Sequence, residues 1–193
     1  MRILMAHHLD TGLTVRPCWG PMHGDEAVSE QGLTEKILLR LPAGSAVMAD
    51  RNFAVFPVAW AAQQAQCGVL MRMTKARAKK IAGHILPPAG SARMIEWKPS
   101  RDDRRAHPEL PKEAVVRGRL IVAHIPAENG QTQPLYLFTS LEESVEEIGG
   151  TVPAAVEHRT RYSFAEKDPE NGQPALKNIG NDGKRVAGSR CRI

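Results

Sequence analysis

The chain has 193 residues, and 42% of them are hydrophobic, which is enough for one ordinary core and a small second module. Its three cysteines, Cys18, Cys67 and Cys191, are widely separated and form no Cys-x-x-Cys pair, which argues against a disulfide framework and a cysteine-based zinc site. No run approaches the roughly 18 apolar residues of a membrane span, so we expect a cytoplasmic protein without membrane contact.

The positive charge is concentrated in one region. Of the 26 Lys and Arg residues, 13 lie between Arg72 and Arg119, where there are only 5 acidic residues. This region therefore carries a net charge of +8, and the rest of the chain, whose total is +5, carries −3. Clustered cations release counterions when they bind a phosphate backbone, so a polyanionic partner is one interpretation. A solvated basic face is the other, and charge alone favours it.

The first third of the chain predicts a hairpin, a helix and a buried strand. Residues 2–17 alternate apolar and polar side chains around the turn at residues 10–12, which is typical of two antiparallel strands. A helical pattern follows Asp25, with apolar residues four positions apart. The apolar run at residues 46–49 ends at Asp50, which predicts a strand whose last residue emerges at a sheet edge.

The middle of the chain continues in α/β fashion and then changes character. Residues 58–67 predict a second helix, and residues 69–73 predict another buried strand of a mixed sheet. Basic residues, prolines and short β-like runs follow, at residues 114–125 and 134–139, with Asn129-Gly130 as a turn signal between them. We interpret this section as a β-rich insertion that returns to the core sheet.

Residues 38–53 resemble a segment of a known enzyme family, in which an apolar strand delivers an aspartate followed by Arg-Gly-Phe. Here Asp50 is followed by Arg51, Asn52 and Phe53, so Asn52 replaces the usual glycine. The family is that of the DDE transposases of the insertion sequence four type. Further similarities occur in the same order over about residues 1–148, at Thr11-Gly12, Gly24-Asp25-Glu26, Gly68–Met73 and Tyr136–Leu141.

The resemblance implies an α/β fold, with a partial RNase H-like mixed sheet and flanking helices, interrupted by the β-rich insertion. The last part of the chain fits this fold less well, because Gly149-Gly150 breaks a starting helix and no sustained periodicity follows. The expected organisation is a partial core at 1–73, a basic insertion at 74–140, the start of a core helix at 141–150, and a disordered tail at 151–193.

The resemblance also implies that Asp50 is the second of three catalytic acids and a ligand of Mg²⁺ or Mn²⁺. Two divalent metals about 3.5–4 Å apart clamp the attacking and leaving oxygens of a phosphodiester displacement, and several carboxylates must hold them. The family's first aspartate precedes the Thr-Gly hairpin, on which this sequence already opens at Met1, and Asp10 in the turn is a poor substitute. We therefore expect Asp50 to be the one catalytic acid retained.

The third acid should follow on a helix with the spacing Tyr-x2-Arg-x3-Glu-x6-Lys, which the protein sequence after Ile148 lacks. The degenerate codons of residues 151–167, shifted by one base, permit Leu-Tyr-Arg-Gln-Arg-Trp-Asn-Ile-Glu-Leu-Asp-Ile-Arg-Ser-Leu-Lys. Chance compatibility over so many codons is improbable. We therefore expect a frameshift near Gly149-Gly150 that replaced the catalytic helix by an out-of-frame tail.

Three groups of residues have competing interpretations. Lys75, Arg77, Lys79 and Lys80, with Arg72 before them, are candidate DNA-phosphate contacts, but a solvated loop explains them equally well. Metal binding is an alternative at the neighbouring His7, His8 and Asp10, although we expect core or hairpin packing there. Trp60 suits a helix that packs against the sheet. A position in loops, where a base could stack, is an alternative for Trp19 and Trp97, and core packing is the expectation for all three tryptophans.

The resemblance implies DNA strand cleavage and transfer at transposon ends, in a bacterial cytoplasm or on its nucleoid, by an enzyme whose partners are DNA and other transposase subunits. With one acid, this chain is expected to be an inactive fragment. The alternative is a noncatalytic DNA-binding or dimerising fragment that regulates an intact transposase. A translated remnant without a role is a third possibility. No Ser-His-Asp order, P-loop or Rossmann glycine pattern is present.

Overall fold

The computed structural model describes residues 1–9, 11–126, 132–142 and 190–192. The described residues belong to one compact unit. Its elements, in chain order, are β1 (Arg2–His8), β2 (Thr14–Gly20), α1 (Glu30–Leu38), β3 (Ala46–Ala49), α2 (Phe56–Gln64), β4 (Gly68–Met73), α3 (Lys75–Ile81), β5 (Ser91–Trp97), α4 (Arg101–Ala106), β6 (Val116–Pro126), β7 (Thr132–Thr139) and β8 (Arg190–Arg192).

The strands form one mixed sheet in the order β2-β1-β8-β3-β4-β7-β6-β5. Strand β3 runs parallel to both β4 and β8, whereas all the other neighbouring strands are antiparallel. The expected α/β class with a mixed sheet and flanking helices is therefore confirmed.

The N-terminal hairpin is built as the alternation of its side chains predicts. Ile3 pairs with Trp19 and Ala6 with Val15, with an irregularity between the two pairs. Helix α1 packs Leu33 and Ile37 against one face of this hairpin, where Ala6 is also fully buried. Alternate residues of the hairpin thus enter the core and the remainder face outward.

Helix α1 begins later than the sequence pattern suggests. The helical pattern was expected to follow Asp25, but the N-cap is Ser29, whose hydroxyl accepts a hydrogen bond from the backbone N–H of Gly32 at 2.9 Å. A serine oxygen satisfies one of the backbone donors that a helix N-terminus leaves unpaired. The polar turn before Ser29 therefore remains outside the helix.

Strands β3 and β4 form the parallel pair at the centre of the sheet. Val47 and Val69 are paired and are almost completely buried, as expected of strands covered by helices. Helix α2 spans Phe56–Gln64 instead of residues 58–67, because Pro57 suits the first turn of a helix, where no backbone donor is needed. Gln66 then adopts a φ of 55° before the chain enters β4.

The β-rich section returns to the core through β7, whose residue Phe138 pairs with Met71 of β4 and Leu120 of β6. Phe138 is fully buried, and its ring is in edge-to-face contact with the ring of Trp97, at a centroid distance of 5.1 Å. Edge-to-face aromatic pairs stabilise a core beyond the area that they bury. Two helices in this section, α3 and α4, were not predicted.

Residues 190–192 differ from the unstructured tail that the sequence predicts, because they form β8 between β1 and β3. Cys191 is level with His8 on one side and with Val47 on the other. The Asn129-Gly130 turn and the remainder of the tail lie outside the described residues, as does the predicted helix start beyond Glu142. In the described part of the chain, no helix has the length and apolar character needed to cross a bilayer.

Candidate nucleic-acid interface

Asp50 lies directly after β3, at the carboxyl end of a parallel strand, as predicted. Ala49 is paired with Met71, so Asp50 and Arg72 follow at the same level on neighbouring strands. Both residues are partly exposed. The carboxyl ends of parallel strands are common ligand-binding positions in α/β sheets. The structure thus brings together two of the residues singled out from the sequence.

The turn after Asp50 is fixed from several directions. Within it, the backbone N–H of Phe53 donates to the carbonyl of Asp50 at 3.0 Å. Gln31 of α1 donates from Nε2 to the carbonyl of Asn52 at 3.1 Å. Arg77 of α3 donates from Nη1 to the carbonyl of Arg51 at 2.8 Å. Side chains of two different helices therefore hold the turn in place.

The cations after Met73 lie on a helix, which corrects the alternative of a solvated loop. Thr74 is the N-cap of α3, and its hydroxyl accepts from the backbone N–H of Arg77 at 3.2 Å. Lys75 and Lys79, four positions apart, project from the same side of the helix and are exposed. Ala78 of the same helix is fully buried and packs against the core. The helix thus presents lysines on an ordered surface.

Most arginines of the basic region serve contacts within the fold, whereas its lysines do not. Lys75, Lys79, Lys80 and Lys98 are exposed and form no ion pair with a described residue. The engaged arginines are Arg93 (to the Ala82 carbonyl), Arg104 (to the Pro111 and Lys112 carbonyls), Arg105 (to Asp102), Arg117 (to Glu96) and Arg119 (to the Leu141 carbonyl).

The exposed lysines therefore carry positive charge that is available to a polyanion. Their ammonium groups are compact point charges suited to phosphate oxygens, and counterion release would favour binding. Lys98 was not singled out from the sequence. Its place in the region of net charge +8 was the only signal that pointed to it.

The paired histidines have hairpin contacts, in agreement with the packing interpretation. The Nδ1 atom of His7 lies 3.2 Å from the hydroxyl of Thr14, and that of His8 lies 3.3 Å from the hydroxyl of Thr11. Asp10 lies outside the described residues. Among the residues that are described, no group of three His, Cys, Asp or Glu side chains is arranged to hold a metal ion.

Two of the three tryptophans pack against the core as expected, and Trp19 does not. Trp97 is only 5% exposed and lies on β5, which agrees with the expected core packing and corrects the alternative of a loop position. Trp19 is 64% exposed, but on β2 instead of in a loop. Trp60 stacks on Phe56 in α2 at a centroid distance of 6.3 Å. Only Trp19 retains a ring that a partner can reach freely.

One partly buried acid was not recognised in the sequence. Glu35 of α1 has a carboxylate oxygen, Oε1, that is buried and makes no hydrogen bond to a described residue. Burial raises the pKa of Glu35 above its ordinary value, His107 lowers it to a lesser extent, and Glu109 raises it. Glu35 lies between the buried Thr34 and the exposed Lys36 in α1. The helical pattern of the sequence did not indicate that its carboxylate is partly buried.

Comparison with known proteins adds no assignment, because no family profile, curated protein or solved structure matches this chain.

Proposed function

We propose that this chain is a DNA-binding part of a DDE transposase core of the insertion sequence four type. The observation that carries the proposal is the position of Asp50 at the carboxyl end of a parallel strand, beside a helix whose exposed lysines form no ion pair with a described residue. The resemblance at residues 49–53 implies an acid at this position. The ordered similarities along the chain point to the same family.

The direction of β8 also supports the proposal. The resemblance places a strand before the hairpin, and such a strand, joined to β1 by a short turn, would run antiparallel to β1. Strand β8 lies on the free edge of β1, antiparallel to it and parallel to β3. The position in the sheet between β1 and β3 is thus occupied by a strand that runs antiparallel to β1 and parallel to β3. This is the direction that the resemblance implies for the family's first catalytic strand.

The described residues do not suit a two-metal centre on their own. Holding two Mg²⁺ or Mn²⁺ ions requires several oxygen ligands. Asp50 supplies one carboxylate, and the described part of the chain contains no group of three acidic, histidine or cysteine ligands. We therefore propose DNA binding without strand cleavage by this chain, and no catalytic step is assigned to it.

The experiment measures binding of the full chain to duplex DNA over a range of salt concentrations, together with cleavage in Mg²⁺ or Mn²⁺. We expect binding that weakens steeply with salt and no cleavage. Lys75→Gln/Lys79→Gln should reduce the slope of log K against log salt by about 1–2, since each lost phosphate contact contributes about 0.9. Lys36→Gln/Lys112→Gln removes the same charge from exposed positions outside α3 and is the matched control.

Two outcomes would contradict the proposal. Binding that is absent, or equally reduced by the α3 variant and its control, would remove the DNA-binding role. Metal-dependent cleavage that Asp50→Asn abolishes would show that the chain is a complete enzyme. With binding intact, Asp50→Asn is expected to change the affinity for DNA by less than about twofold, because the carboxylate of Asp50 is not a donor to DNA phosphate oxygens.

A second candidate is a dimerising fragment that regulates an intact transposase. The outer face of the hairpin favours it, because Ile3 and Trp19 are directly paired across the strands and are 52% and 64% exposed. Exposed apolar patches mark protein interfaces when they are contiguous. Ile3→Ser/Trp19→Ser should then convert a dimer to a monomer in light scattering after size exclusion, whereas a wild-type monomer would rule this candidate out.

A further inference from the structure

A cavity of about 460 Å³ lies between the start of α2, helix α3, the end of β5 and the start of α4. Its apolar wall consists of Val55, Phe56, Ile81 and Trp97. Phe56 and Trp97 are almost fully buried, with rings in edge-to-face contact at 6.0 Å, so they form a rigid floor. The volume lies within the range of small-molecule sites, about 300–1,000 Å³.

Three cations from two segments converge on the rim of this cavity. Arg77 and Lys80 are three positions apart on α3, and Lys98 lies just beyond β5. Arg77 is held by its hydrogen bond to the carbonyl of Arg51, whereas Lys80 and Lys98 are exposed without an ion-pair partner among the described residues. The two lysines are therefore available to an anion.

Two acids also line the cavity, but both have partners of their own. The Asp103 Oδ2 atom accepts hydrogen bonds from the backbone N–H and the hydroxyl of Ser100, at 2.7 and 2.6 Å, in the capping box of α4. The Glu96 Oε1 atom lies 3.1 Å from the Nε atom of Arg117. Counting Arg117 with the three rim cations, positive charges exceed negative ones by two.

We propose that this cavity binds a phosphate monoester carried on a nucleoside. A monoester phosphate has a charge of about −1.5 to −2 near neutral pH, which matches the local excess, and three acceptor oxygens for the rim cations. The apolar floor accommodates the uncharged part of the ligand. A free nucleoside monophosphate and a phosphorylated DNA strand end share this chemistry. If the proposed DNA-binding function holds, the ligand is the strand end. Only this choice of ligand rests on the proposed function.

The test uses the full chain and calorimetric titration with thymidine 5′-monophosphate, thymidine and inorganic phosphate, and with a short single strand bearing or lacking a 5′-phosphate. Lys80→Gln/Lys98→Gln removes two rim charges while retaining much of each side-chain stem, and Lys36→Gln/Lys112→Gln is the equal-charge control. We expect the monophosphate to bind the wild type and the control variant at least about tenfold more tightly than thymidine does. The pocket variant should lose about tenfold in affinity for the monophosphate.

Thymidine binding as tightly as its monophosphate, or a pocket variant that matches the control, would overturn the inference, as would an absence of monophosphate binding. Preference for the phosphorylated strand over the unphosphorylated one identifies a strand end as the ligand, and equal binding of the two identifies the free nucleotide. Monophosphate binding without salt-dependent duplex binding would contradict the proposed function and leave the pocket in place. Salt-dependent duplex binding without monophosphate binding would contradict the proposed pocket and leave the proposed function in place.

Discussion

The Nη1 atom of Arg77 lies 2.8 Å from the carbonyl oxygen of Arg51, across 26 residues of sequence. This hydrogen bond joins the basic helix α3 to the turn that follows Asp50. Gln31 holds the same turn from the side of α1 through the carbonyl of Asn52. The position of the candidate acid relative to the lysines is therefore set by long-range side-chain contacts as well as by strand β3.

Arg77→Ala should loosen the turn at residues 51–55. Its loss removes a charge-assisted hydrogen bond, which stabilises a fold by about 1.5–3 kcal/mol at most and by less at an exposed position such as this. Hydrogen exchange at residues 51–55 should become several-fold faster, with little change in β6. Lys79→Ala, on the same helix and with no side-chain hydrogen bond to the described residues of the turn, is the control. Equal exchange rates in the two variants would show that the hydrogen bond from Arg77 to Arg51 does not hold the turn.

Cys191→Pro should open the sheet between β1 and β3. Proline has no backbone N–H and interrupts a strand ladder, whereas Cys191→Val keeps the donor at the same position. Because Cys191 is level with Val47 and His8, amide exchange in β3 and at the end of β1 should accelerate about fivefold, the equivalent of one hydrogen bond of about 1 kcal/mol. If the proline and valine variants exchange alike, β8 does not hold the sheet together.

Gly118→Ala should destabilise the junction between β6 and β7. A Cβ at this position would lie 2.4 Å from the carbonyl oxygen of Thr139 and 2.7 Å from the Cζ atom of Phe138. Neither a paired backbone nor a buried ring yields easily, so we expect a loss of about 1–3 kcal/mol in the free energy of unfolding by urea. Met94→Ala, at an exposed position on the neighbouring strand, should change it by less than about 0.5 kcal/mol. Equal stability of the two variants would contradict the close contact.

Glu35→Gln should stabilise the protein at neutral pH. Burial raises the pKa of Glu35, so the folded state favours the protonated form. The stability that the wild-type residue contributes is present below its ordinary pKa and is lost as pH rises through the raised value. Thermal unfolding should therefore show a higher Tm for the variant near pH 7 and converging values near pH 4.

Glu109→Gln is the control of opposite sign. Its own backbone N–H, followed by His107 at 3.0 Å, lowers the pKa of Glu109, so the charged form favours the folded state. The variant should be slightly less stable at neutral pH, and the difference should vanish as pH falls through the lowered pKa. Parallel behaviour of the two variants would contradict the assigned environments.

The sequence predicted elements with dense local signals and missed those without them. The apolar run before Asp50 and the alternation in the hairpin indicated β3, β1 and β2, because burial on one or both faces leaves a regular pattern. Helix α3 buries only Ala78 among its seven residues, so it has no hydrophobic period. Its one local signal is the capping residue Thr74.

Long-range features left no local trace in the sequence. Strand β8 is three residues long and joins β1 and β3, which precede it by well over a hundred residues. The contact between Arg77 and Arg51 and the convergence of Lys80 and Lys98 on one cavity also depend on how the sheet folds. The cations were recognisable as a group, but their division into structural arginines and available lysines required the structure.

The proposal that the chain derives from a transposase is tested most directly by the nucleotide sequence of its gene across codons 140–170, read in all three frames. The account predicts that the frame displaced by one base encodes Leu-Tyr-Arg-Gln-Arg-Trp-Asn-Ile-Glu, followed at the family spacing by Lys. A gene without that string would contradict the frameshift. The residues after Gly150 would then be the protein's own, and the third acid would have to be sought among them.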